Sequence, residues 1–116
     1  MSSQDQAAKK RPVIVCLSGN QRSRRDYEVA CTRETLAGRI VLTHGWHGTT
    51  ADEQPDPKVK ADLDELQKRR IEMADQVLVI APKGLINMDS ASDISYAKSV
   101  GKTVVFFDPG VRKRGE

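Results

Sequence analysis

Four short stretches hold the residues of this chain whose types and spacing suit chemistry. "SDISYAKSVGK", residues 92–102, places an acid, Asp93, near the start of an amphipathic helix. A carboxylate there is either a helix cap or a nucleophile aimed at a ligand. With Ser90 as N-cap, Asp93 falls at the third helical position and "SASD" reads as a capping box, worth about 0.5–2 kcal/mol, mostly through the serine. The helix dipole would also favour the ionised, nucleophilic carboxylate. "SGNQRS", residues 18–23, joins an apolar run to a helix. Gly19 lets a backbone come close to a ligand, free N–H groups at a helix start favour an anion, and Ser18, Asn20 and Arg22 add donors. Taken alone, the loop reads equally well as a plain strand-to-helix turn.

"THGWHG", residues 43–48, offers His44 and His47, too few ligands for a metal site. Trp46, the only tryptophan, either packs on the core or stacks on a base. "GKT" at 101–103 resembles the end of a phosphate-binding loop, but Tyr96 stands where the first glycine belongs and a strand follows. No GxGxxG is present. Cys16 and Cys31 lie in different expected elements and have no metal-ligand spacing. Neither a metal nor a cofactor is expected.

The elements that would position these groups alternate. "PVIVCLSG" predicts a buried strand from Val13 to Leu17, and residues 22–37 predict a helix with Tyr27, Ala30, Cys31 and Leu36 on its apolar side. "RIVLTHG" is a second strand and "WHGTTADEQPDP" a loop. Residues 58–74 form an amphipathic helix, "QVLVIAP" a third strand, "KGLINMD" a loop, residues 90–100 a helix and "TVVFF" the last strand. Strands apolar along their whole length are buried on both faces. The fold class is therefore α/β, a flavodoxin-like (Rossmann-like) three-layer sandwich with a four- to five-stranded parallel sheet in an order such as 2-1-3-4. Ligands of such sheets collect at the carboxyl ends of the strands, which here carry "SGNQRS", "THGWHG", "APKGLINMDS" (81–90) and "DPG" (108–110), the first three rich in glycine and polar groups.

The 116 residues amount to a single domain, 12–108, between basic tails at 1–11, expected to be disordered, and 109–116. Of 19 basic and 16 acidic residues, six basic and three acidic ones lie at the ends, which leaves 13 of each in 12–107. A neutral body with 4% aromatic residues argues against a nucleic-acid partner. No apolar run reaches the roughly 20 residues of a membrane span, and the N-terminus lacks the apolar centre of a signal peptide. Free cysteines suit a reducing compartment, so a cytoplasmic location is expected. The charged helix at 58–72 reads as a solvated face rather than a partner surface, with Asp64–Lys68 and Glu65–Arg69 at i,i+4 spacing.

Taken together, "LSGNQRS", "TRETLAGRIVLTHGWHG", "LDELQKRRIEMADQVLVI" and "SDISYAKSVGKTVVFF" resemble the nucleoside 2-deoxyribosyltransferase-like superfamily, most of all its small phage and bacterial members. The resemblance runs from about Val13 to Phe107. It implies a flavodoxin-like sheet and cleavage or exchange of the N-glycosidic bond of a nucleoside or nucleotide. The superfamily's nucleophile is a glutamate in a motif resembling E-I-x-Y-A, and Asp93 stands at that position. Gln67 and Asn87 would assist at the sugar. Ser18, Gly19, Asn20 and Arg22 would hold the nucleotide, with His44, Trp46 and Gly84 also in the substrate site. The resemblance implies a homo-oligomer as well. Asp93 is one methylene shorter than glutamate, roughly 1.5 Å of reach, and a 1 Å misplacement lowers a rate about 100-fold. Gln67 stands where relatives carry an aspartate or histidine, Asn87 near a further acidic position, and Leu85 where small members have tyrosine. The alternative is a catalytically degenerate nucleotide-binding module of the same fold.

Overall fold

The computed structural model describes residues 11–20, 23–45 and 56–110. Along the chain lie β1 (Ile14–Ser18), α1 (Arg24–Leu36), β2 (Ile40–Leu42), α2 (Pro57–Met73), β3 (Gln76–Ile80), a 3-10 turn (Pro82–Gly84), α3 (Met88–Ser99) and β4 (Thr103–Phe107). The described strands form one parallel sheet in the order β2-β1-β3-β4, the order expected from the sequence. The architecture is a flavodoxin-like three-layer α/β sandwich. No helix among the described residues is long and apolar enough to cross a membrane.

Side chains of the central strands alternate between two cores because successive residues point to opposite faces. Cys16, Val77 and Val79 turn toward α2 and α3, where they meet Ile71 and Ala97. Val15, Leu17, Leu78 and Ile80 turn toward α1, where they meet Tyr27 and Ala30. β1 and β3 occupy the middle of the sheet, which is why their runs lack polar alternation. The outer strand β2 needs only three paired residues, so the "RIVLTHG" segment is strand only at Ile40–Leu42.

Capping decides where the helices start. Asp56 caps α2 by accepting a hydrogen bond from the Lys58 N–H at 2.8 Å, and Pro57 takes the first helical position. On α2, Glu65 pairs with Arg69 as the spacing predicts, but Asp64 pairs with Lys60 instead of Lys68.

The start of α3 corrects the capping box read from "SASD". Asn87, in an extended conformation, is the N-cap, and its Oδ1 accepts from the Ser90 N–H at 2.8 Å. Ser90 is therefore inside the helix, and Asp93 lies in its second turn. Asparagine caps as well as serine does, and the earlier cap leaves Ser90's hydroxyl free to turn inward. α3 ends at Ser99 with Val100 as its C-cap, and Gly101 follows with φ 77°, a conformation that glycine adopts without strain.

The last residue of the N-terminal basic segment is tied to the sheet. Arg11 donates two hydrogen bonds to the Asp75 carboxylate, at 2.6 and 2.7 Å, and the Ile14 N–H donates a third at 2.8 Å. The Arg11 guanidinium holds this carboxyl well below the usual carboxylate range. Of the two tails, residues 1–10 and 111–116 lie outside the described residues.

A depressed folded-state pKa gives stability that is present above the ordinary carboxylate value, about 3.9, and is lost as pH falls toward the folded value. On acidification below about pH 4, the thermal midpoint of the wild type is expected to fall more steeply than that of Asp75→Asn. Calorimetry of both proteins across that range checks it.

Candidate functional site

At the carboxyl ends of β1 and β2, a cavity of about 160 Å³ opens between α1, α2 and α3. Gly19 and His44 reach it from the strand ends and Tyr27 from α1. Leu63, Asp64, Gln67 and Lys68 come from α2, and Asp89, Ser92, Asp93 and Tyr96 from α3. The i, i+3 and i, i+4 spacings within these two sets put each on one helix face.

Asp93 is the half-buried centre of the site. Its Oδ2 accepts hydrogen bonds from the Ser18 hydroxyl at 2.6 Å and from Gln67 Nε2 at 3.1 Å. Its Oδ1 accepts none from the described residues. The Gln67 amide has a fixed orientation, because its Oε1 accepts from Arg70 Nε at 3.0 Å while Nε2 also donates to the Leu17 carbonyl at 3.2 Å. An amide so held presents a donor to Asp93 and cannot exchange a proton with it.

Burial pushes the Asp93 carboxyl above its ordinary value. The bonds from Ser18 and Gln67 pull it back, while Asp89 and Asp64 add to the upward push. The helix start contributes less to ionising this carboxyl than the sequence suggests. Asp93 lies beyond the first turn, where the dipole acts, and desolvation outweighs what remains.

Around this carboxyl the wall is polar. Tyr27 is 5% exposed, and burial holds its phenol protonated through the physiological range. Its ring meets His44 edge-on, with centroids 4.7 Å apart. The Tyr96 hydroxyl donates to Glu72, and Lys68 Nζ stands 5.6 Å from the Tyr96 ring centre. Lys60 ties Asp64 of its own helix, at 2.9 Å, to Asp89 of α3, at 3.7 Å. Behind the wall, burial drives the Cys16 thiol up to about 12, which leaves it unreactive. Among the described residues no group of three or more His, Cys, Asp or Glu side chains could hold a metal ion.

Asp93, Gln67, Gly19 and His44 are therefore brought together as the sequence suggested, with Ser18 directly behind them. Asn87 is engaged as the cap of α3 and does not line the cavity. Gly84 sits in the exposed 3-10 turn, and Asn20 is exposed beyond the end of β1. Arg22, Trp46 and His47 lie outside the described residues. Sequence reading assigns Tyr27 to the core and Asp64 and Lys68 to a solvated face, and it gives no role to Asp89, Ser92 or Tyr96. The i, i+3, i+4 spacing of Asp64, Gln67 and Lys68 was the available signal, since it places all three beside Leu63 on the inward edge of α2.

No protein-family model, curated protein or solved structure matches the chain.

Two outcomes follow from this geometry. A carboxyl with a raised folded-state pKa contributes stability below its unfolded value that is lost as pH rises through the folded one. Asp93→Asn is therefore expected to melt at a higher temperature than the wild type at pH 7, with the gap closing below about pH 4. Gly19 is buried, and a Cβ there would lie 3.0 Å from Ile80 Cβ. Because Ile80 Cβ is anchored to the β3 backbone and cannot swing away, Gly19→Ala is expected to lose about 1–3 kcal/mol in urea unfolding.

Proposed function

We propose that this chain cleaves or exchanges the N-glycosidic bond of a nucleoside or nucleotide, with Asp93 as the carboxylate nucleophile. One observation carries the reading: a half-buried acid lines a cavity with one oxygen clamped by Ser18 and Gln67 and the other accepting no hydrogen bond from the described residues. In the first step Oδ1 attacks the anomeric carbon, and the C–N bond electrons leave with the base. In the second, water or another base attacks the same carbon and the carboxylate departs. Ser18 and Gln67 hold Oδ2 throughout, orienting the attack and stabilising the returning charge. The cavity, at about 160 Å³, is below the roughly 300 Å³ at which pockets for drug-sized ligands begin. It suits the pentose, with the base lying toward the mouth lined by Asp64, Lys68 and Asp89.

A second reading, a module that binds such a ligand without turning it over, is supported by the short Asp93 side chain and by the upward push on its carboxyl. Incubation with deoxynucleosides and deoxynucleotides, followed by chromatography, separates the two. Release of free base, reduced roughly a thousandfold or more in Asp93→Ala, is expected. The rate should rise with pH through the folded value of Asp93, because only the ionised form attacks. A ligand-induced rise in melting temperature without free base would favour the module. Neither signal across the panel would overturn both readings.

A further inference from the structure

β4 is an outer strand of the sheet and pairs only with β3 among the described residues. Strand edges are normally blunted by shortness, proline, charge or a covering element. The opposite edge, β2, is short, with three residues. β4 has five, all uncharged. Phe106 is 55% exposed and Val105 37%. The Phe107 carbonyl accepts from the Ala81 N–H at 2.8 Å, so it points toward β3. Both backbone groups of a strand residue point the same way and successive residues alternate, so those of Val104 and Phe106 point outward. They form no hydrogen bond among the described residues.

The strand with its flanking residues reads KTVVFFD, residues 102–108. Turned antiparallel against itself about Val105, it is self-complementary. Lys102 of each copy meets Asp108 of the other, and Val104 meets Phe106. Because Val104 and Phe106 carry the outward backbone groups, each such pair exchanges both of its N–H···O bonds. Their side chains share the sheet face on which Val104 packs against the α2 and α3 core. Val105 lies opposite its own copy, and Thr103 opposes Phe107, on the α1 face. Asp108 is fixed at the strand end by the N–H groups of Lys83 and Gly110, at 3.0 and 2.8 Å. Lys102, whose charge also reaches Asp75, stands at the other end. Parallel pairing in register would set Lys102 against Lys102 and Asp108 against Asp108. A two-residue slip would set Lys102 against Phe106 in one direction and Asp108 against Val104 in the other. Opposite charges across a strand pair stabilise it and like charges destabilise it, so the two ends select this direction and register.

We propose that β4 pairs antiparallel with β4 of a second copy of this chain, joining the two four-stranded sheets into one across a two-fold axis at Val105. The symmetry is closed: both β4 edges are consumed, and only the short β2 edges face outward. The contact is narrow, five residues or about 17 Å of strand, so the dimer is of the weak, concentration-dependent kind. The cavity around Asp93 lies between the helices at the carboxyl ends of β1 and β2, so the inference stands apart from the reading of that site.

Sedimentation velocity from about 1 µM to about 1 mM checks it. The wild type should pass from the mass of one chain toward twice that mass. Val105→Lys, which sets two ammonium groups against each other on the axis, should keep the single mass throughout. Lys102→Glu, which turns both end pairs repulsive, should weaken association about tenfold. Circular dichroism of each variant checks that the fold is retained. A second readout uses Val105→Cys and Thr103→Cys, each in a Cys31→Ser background under mild oxidation. In the proposed register the two Cα atoms at position 105 are about 4.5 Å apart, within disulfide reach, and those at position 103 roughly 14 Å apart. Val105→Cys should therefore cross-link about tenfold faster than Thr103→Cys, or more. A wild type that keeps the single mass over the whole range, a dimer that survives Val105→Lys, or equal cross-linking of the two cysteine variants would overturn the proposal.

Discussion

Taking the Asp93 carboxylate partly out of water costs free energy that only hydrogen bonds offset. The donors belong to two other elements: Ser18 ends β1, and Gln67 projects from α2. The same carboxylate oxygen therefore ties α3 to two parts of the chain that are 75 and 26 residues away. The parallel sheet makes this possible. β1 is central, so its carboxyl end lies between the helices of both layers, and a short polar residue there reaches a side chain from α3 directly.

The rest of the site is arranged around that tie. Gln67 keeps its donor on Asp93 because Arg70 occupies the carbonyl side of the amide and the Leu17 carbonyl takes the second proton. Gly19 must lack a side chain because Ile80 passes so close. Carboxylates at the mouth push the Asp93 pKa upward, and Lys60 partly neutralises them while spanning α2 and α3. The site thus holds an acid whose ionisation is opposed by burial and supported by oriented donors, a balance found where proteins need a reactive carboxyl group.

The sheet was legible because its signals are local. "TVVFF" is an unbroken apolar run after a glycine stop, and it forms β4 over the same five residues. The order of the strands followed from alternation of strand and helix. Helix starts were harder, because Asn87 and Ser90 are both good caps three residues apart and only tertiary contact chooses between them. Ser90's hydroxyl has a buried partner in Ser18, which lies 72 residues away, so the cap passes to Asn87. Tyr27 was legible as a core residue but not as a cavity wall, since one side chain does both. Asp64 and Lys68 looked like solvent-facing partners because spacing cannot reveal that their edge of α2 faces a hollow.

Position inside α3 has a further effect on Asp93. The backbone of a helix interior does not yield, so the carboxylate can be moved only by its own torsions. An aspartate has two of these and a glutamate three. The aspartate therefore has one rotor fewer and less reach, so less rotational entropy is lost when its carboxylate is held in place. In the proposed reaction the substrate must then travel the whole distance to the oxygen, and selectivity shifts from a swinging arm to the depth at which the ligand can lodge.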